Sequence, residues 1–312
     1  MILLRCLFVY FYFMFNTINC IETVPKGYLV GAPYDPRLSS NSLFKIDPLS
    51  GKMTLLTQLM NYIAYDVTYD FIHQIFYVFG SEATLENDVT LSVAVVNPFN
   101  GTTKYQTITT EHNAELFGLR VDSSTGLLYS LQVNDVFGNP TSIVQIDPTN
   151  FIVKQWVNIS KASGIQPDPM AFFFNATDHE YFVTVPTDSI YLVGIDVKKR
   201  KIISEITNSN LPAYLCYDNK TDAFYGMQIF QTRRGCRLVR FNPYNGMMQI
   251  LSSDFKDYLP STGTCHEGFY FAMIVEGSDN QNIVTFDLIN NATIIANNPS
   301  QYYLDSFAFV PL

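Results

Sequence analysis

Charge is scarce in this chain, and positive charge scarcest of all. Of 312 residues 15% are charged, with 19 Lys and Arg against 28 Asp and Glu for a net charge of -9. That balance excludes a phosphate backbone or an anionic membrane surface as the main partner, so nucleic acid is not expected. The one basic cluster, Arg233, Arg234, Arg237 and Arg240, falls in one loop and strand, where solvation explains it. Cys-x-x-Cys is absent, which removes thiol redox motifs and thiolate zinc sites. So are Gly-x-Ser-x-Gly, Gly-x-Gly-x-x-Gly and Gly-x-x-x-x-Gly-Lys, and with them the common nucleophile elbow and phosphate cradles. The four histidines, His73, His112, His179 and His266, lack the spacing of a helix-borne zinc site. Beyond the N-terminus no apolar run approaches the roughly 20 residues that a membrane-spanning helix needs.

The N-terminus itself has one positive charge at Arg5, an apolar run through Phe15 and a polar exit ending at Cys20. This is the pattern of a secretory signal peptide over residues 1–20, leaving 21–312 as a single mature domain. Cys6 and Cys20 leave with it, and Cys216, Cys236 and Cys265 remain. An odd count implies one bridge and one free thiol. Cys216 and Cys236 share a repeat, so the expected bridge is Cys216–Cys236.

The residues that are present repeat. Ser142-Ile143-Val144-Gln145-Ile146-Asp147-Pro148 is a β-branched run stopped by Asp-Pro, and its shape recurs so that an Asp or Asn stands at 47, 97, 147, 196, 242 and 287. The steps are 50, 50, 49, 46 and 45 residues. Before each marker comes a hairpin of apolar and aromatic strands, as in Leu116–Val121 and Leu127–Leu131 around Asp122-Ser123-Ser124-Thr125-Gly126. After it comes a further strand, as at Lys154–Val157. Four short strands per repeat at this period make propeller blades. The first marker has one strand before it, Gly27–Gly31, where the others have two, and Ser306–Val310 is a strand to spare. The expected fold is therefore all-β: a six-bladed β-propeller closed by pairing of the N- and C-terminal strands.

With turns such as Ile46-Asp47-Pro48-Leu49-Ser50-Gly51, the chain resembles the β-propeller repeat superfamily across nearly all of the mature sequence. Neither the Trp-Asp nor the Gly-Gly pairs of narrower propeller families occur, and the motif specifies a turn rather than an activity.

Alignment of the innermost strands gives the candidate site. Asn61, Glu115, Asp168, Asn210 and Asp305 each precede by three residues a small one: Ala64, Gly118, Ala171, Ala213 and Ala308. Inner strands converge on the axis, which accounts for the small residues. Five oxygen-bearing side chains at the strand starts form a ring at one channel mouth, suited to a hard cation such as Ca²⁺. Asp and Asn favour turns and bond nearby backbone, so turn capping is the stronger reading of these entrance residues and the ring the competing one. The sixth repeat, around Pro260-Ser261-Thr262-Gly263, has no acid. A six-bladed ring with such a mouth is similar to metal-dependent lactonase and gluconolactonase propellers. That resemblance implies a hydrolase in which the cation polarises a carbonyl or activates water, with Glu115 or Asp168 as ligand or base. His266 and Glu267 read either as an acid/base pair or as the flank of a tight turn.

Sequons occur at Asn100, Asn158, Asn175, Asn219 and Asn291. Alternating strand direction places Asn100, Asn175, Asn219 and Asn291 in turns on one face of the ring, opposite the ring mouth. The leading functional expectation is a secreted glycoprotein that binds an extracellular protein or small ligand. The alternative is the Ca²⁺-type lactonase or esterase-like hydrolase, and the third reading is extracellular scaffolding.

Overall fold

The computed structural model describes residues 24–33, 41–83, 89–110, 115–133, 141–159, 172–185, 191–207, 210–230, 234–277 and 280–312. They form six antiparallel sheets and no helix. The first blade contains β1 (Gly27–Pro33), β2 (Asn41–Ile46) and β3 (Met53–Leu59). The second runs β4 (Tyr62–Asp70), β5 (Ile75–Ala83), β6 (Val89–Val96), β7 (Thr103–Thr107) from axis to rim. The third runs β8 (Glu115–Val121), β9 (Leu128–Val133), β10 (Thr141–Ile146), β11 (Val153–Ile159), and the fourth β12 (Phe172–Asn175), β13 (Glu180–Val185), β14 (Tyr191–Asp196), β15 (Lys201–Thr207). In the fifth, β16 (Ala213–Asp218) and β17 (Ala223–Ile229) precede β18 (Gly235–Phe241), whose outer side pairs with two short strands, β19 (Met248–Ile250) and β20 (Phe255–Lys256). The sixth is β21 (Leu259–His266), β22 (Phe269–Glu276), β23 (Asn280–Asp287), β24 (Thr293–Pro299). The last strand, β25 (Leu304–Pro311), is the innermost strand of the first blade.

Each marker residue ends the third strand of its blade, and its side chain builds the turn that follows. Asp47 Oδ1 accepts the Leu49 N–H at 2.8 Å, Asn97 Oδ1 that of Phe99 at 2.9 Å and Asp287 Oδ1 that of Ile289 at 3.0 Å. Four residues on, the backbone is left-handed in all six blades, at Gly51, Gly101, Phe151, Arg200, Gly246 and Asn291. The carbonyl one position after the marker also receives the preceding blade. Thr285 Oγ1 donates to Pro48 O at 2.6 Å, Tyr28 OH to Pro98 O at 2.8 Å and Trp156 Nε1 to Val197 O at 2.7 Å. Ser204 Oγ does the same to Pro243 O. In these four blades the repeated turn is thus also an inter-blade seam.

Closure follows the expected route, with β25 antiparallel to β1 from Gly27↔Pro311 to Pro33↔Leu304. β25 also packs beside β4 on one side and β21 on the other. Apolar clusters fill the spaces between successive blades: Tyr129, Val183 and Val193 meet between the third and fourth, for example.

The cysteine expectation is corrected. The bridge joins Cys216 to Cys265, with Cα atoms 5.8 Å apart, and Cys236 is a free, buried thiol. Cys216 lies on β16 and Cys236 on β18, with β17 between them, so two ladder spacings of about 4.8 Å separate the strands. β16 and β21 are innermost strands of neighbouring blades and converge near the axis, which brings Cys216 and Cys265 together.

Candidate functional site

The six inner strands enclose an axial cavity of about 500 Å³. Chain direction orients it: β4, β8, β12, β16 and β21 run toward the hairpin turns that lead to their second strands, and the cavity occupies that half of the axis. Its rim carries Phe71, Ser123, Thr177, Asn219 and Glu267 from those turns. It therefore opens on the turn face, the face of the sequon-bearing turns.

Register breaks shape the walls. The pairing of β4 slips between Ala64 and Asp66, that of β8 between Phe117 and Arg120, and that of β16 between Ala213 and Cys216. A bulge re-aims the side chains that follow it. At Gly118 the backbone is left-handed, with φ 65°, and a Cβ would lie 1.9 Å from the Phe172 ring. Tyr181 OH fixes the bulge by donating to Gly118 O at 2.6 Å. The aligned small residues thus mark where inner strands crowd each other.

Two residues past Ala64 and Gly118 stand Asp66 and Arg120. Arg120 Nη1 donates to Asp66 Oδ2 at 2.6 Å and to Leu119 O at 2.6 Å, while Nε donates to Phe172 O at 2.8 Å. One guanidinium thereby ties three adjacent inner strands. Burial raises the Asp66 carboxyl above the usual carboxylate range, although Arg120 pulls it down. Near the rim His266 is stacked between Phe71 and Phe309, with ring centroids 5.1 and 4.8 Å away. Burial holds its imidazole below the ordinary value even though Glu267 and Asp218 pull upward. Glu267 and Gly268 both have positive φ, so they form a tight two-residue hairpin loop, and His266 is its flank.

The turns around the rim are linked blade to blade. Asp122 Oδ2 lies 3.0 Å from His179 Nδ1 of the next blade, and Asp218 Oδ1 accepts the Gly268 N–H at 2.8 Å. His73 is paired with Asp70 at 2.7 Å. These histidines and acids hold turns together. Among the described residues, no group of three or more His, Cys, Asp or Glu is placed to hold a metal ion.

The residues expected to ring the opposite mouth fall at that end of the axis where they are described. Asn61 immediately precedes β4, Glu115 opens β8, Asn210 precedes β16 and Asp305 is the second residue of β25. Asn61 and Asn210 are exposed, and Asn61 is left-handed with φ 54°. Asp168, His112 and the side chains of Glu115 and Asp305 lie outside the described residues. Of the sequon asparagines, Asn100, Asn158, Asn219 and Asn291 are exposed. Asn175 is only 1% exposed and its Nδ2 donates to Asp178 at 3.0 Å, so a glycan there is incompatible with the folded turn. Sequence reasoning passed over Asp66 and Arg120. The same alignment on Ala64 and Gly118 puts these opposite charges at equal height on adjacent strands, and that was the available signal.

No family model matches the chain, and no curated protein matches its sequence. Solved structures share its architecture. A chain of a nidogen–laminin complex aligns with TM-score 0.62 and 11% identity over 91% of this chain and 98% of that one. TolB from Acinetobacter baumannii gives 0.67 and 11%, over 96% of this chain and 70% of its own. A TolB protein from Agrobacterium tumefaciens gives 0.58 and 7%, over 92% and 99%. At such identities the likeness concerns the fold alone. The chain is a six-bladed β-propeller.

Proposed function

We propose that this chain is an extracellular binding propeller, a secreted and glycan-bearing ring that takes its ligand or the tip of a protein partner at the turn-side mouth. The observation that carries the reading is the cavity of about 500 Å³ enclosed by all six inner strands. Its size lies within the usual range for ligand sites, about 300–1,000 Å³. Phe71, 40% exposed, stands at the rim, with Ile72 beside it and Ile289 on the same face, both also exposed. Such a surface offers apolar contact around a concave centre. The signal-like residues 1–20, the exposed sequons and the Cys216–Cys265 bridge fit an oxidising secretory route. A protein of like fold crystallised as a nidogen–laminin complex lends analogy and no more. The cation-dependent hydrolase reading belongs to the opposite mouth, and no described contact favours it.

Expression of the full chain in a secreting eukaryotic cell tests the route. The product is expected in the medium, beginning at Ile21 and losing mass on glycosidase treatment. An array of extracellular domains tests the face. Hits should vanish with Ile72→Glu and Ile289→Glu and survive Met60→Glu at the opposite mouth. Retention of the product in the cytosol, or hits indifferent to Ile72 and Ile289, would sink the proposal.

A further inference from the structure

Among the described residues, the floor of the axial cavity carries a single charged group. Because the inner strands run toward the turn-side mouth, the first lining residue on each is the deepest: Val67, Arg120, Phe172, Leu215, Gly263 and Phe307. A guanidinium has five N–H donors. Arg120 commits Nε to Phe172 O and Nη1 to Asp66 Oδ2 and Leu119 O, and Nη2 has no partner among the described residues. The Arg120 side chain keeps 25% exposure and lines the cavity, whereas Asp66 does not. The ion pair therefore turns its positive end to the cavity floor.

Among the described lining residues Glu267 is the one acid, and it is exposed at the rim. Gly263, at floor level on the same strand, lies four residues before it, about 13 Å at the usual strand rise. That is farther than the screening length of about 8 Å at physiological ionic strength. Aromatic side chains, among them Phe173, Phe174, Tyr217 and Phe309, line the space between floor and rim.

We propose that the cavity binds a small monocarboxylate with an aromatic or apolar body, its carboxylate seated on the Nη2 edge of Arg120. The inference deepens the binding reading above and rests on the axial cavity being its ligand site. A carboxylate fits the open edge of a planar guanidinium and gains a charge-assisted bond. A dianion fits worse, because Asp66 already shares the Arg120 charge and a second excess charge would be buried without a partner. The raised Asp66 carboxyl favours the same outcome, since it can take a proton when another carboxylate joins the guanidinium.

Calorimetry on the full secreted protein, with 2-naphthylacetate, its neutral amide 2-naphthylacetamide and 2-naphthyl phosphate as probes, tests the assignment. The carboxylate is expected to bind about tenfold tighter than the amide. Arg120→Met in an Asp66→Asn background removes the head without leaving an unpaired, partly buried carboxylate. It should level the two affinities, with thermal melting confirming that the ring is folded. Thr264→Trp, which fills the cavity from β21, should abolish both. Equal affinity of acid and amide in the wild type overturns the head-group assignment but leaves the cavity as a ligand site. Binding of neither probe overturns both. Phosphate binding as tight as carboxylate overturns the preference for a single charge.

Discussion

At the scale of single residues, the cysteines give the sharpest expectation. The Cys216–Cys265 bridge closes a loop of 49 residues between the inner strands of two blades. Loss of such a crosslink costs about 2–4 kcal/mol. Cys236 sits in the same apolar cluster, and burial pushes its thiol up to about 12. A thiol held protonated and out of solvent is a poor nucleophile. Native protein at pH 8 should therefore resist alkylation, while denatured, non-reduced protein should take one label, at Cys236. Cys216→Ala with Cys265→Ala should lower the melting temperature far more than Cys236→Ala. A native label on Cys216 or Cys265 would contradict the pairing. The sequence could not settle it, because membership of one repeat says nothing of which strand lies between two cysteines.

At the scale of elements, the turns decide most of what could be read in advance. The six markers were legible because Asx-capped turns are local: Asp47 bonds Leu49 and forces a left-handed Gly51 within five residues. The missing strand of the first repeat was likewise visible, and β25 fills it. The cavity was not, since its lining comes from six strands, and its floor arginine, Arg120, is held by Asp66, 54 residues away in sequence. The rim seam between Asp122 and His179 was equally hidden, being formed by two separate hairpin turns. Burial raises the Asp122 carboxyl, but hydrogen bonds from Ser124, His179 and Thr125 outweigh it and hold the group below its ordinary value. A lowered folded value means stability that is present above the unfolded pKa, near 4, and lost as pH falls through the folded one. Asp122→Asn should cost about 1–3 kcal/mol near pH 6. The gap in melting temperature between variant and wild type should narrow as pH is lowered toward 3. A gap that stays constant would mean that the carboxylate contributes through shape alone.

At the scale of the whole molecule, stability depends on closure. β25 supplies the inner strand of the first blade, and its Leu304, Phe307, Phe309 and Val310 are buried between neighbouring blades. Removing a buried Phe alone costs about 3–5 kcal/mol, and a domain holds only about 5–15 kcal/mol in total. Deleting residues 304–312 should therefore abolish cooperative unfolding, not merely expose one edge. Removing only Leu312, which is 86% exposed, should change little. The two ends of the described ring lie together, with the Leu312 N–H donating to Lys26 O at 3.2 Å. A permutant that begins at Gln301 and joins Leu312 to Val24 through a short linker keeps every strand pair. It should melt cooperatively, near the wild-type temperature. If the permutant fails while the truncated chain still melts cooperatively, the ring does not depend on this pairing. If both behave as expected, the first blade is held by the contact between its two chain ends, and each of the other five by continuous chain.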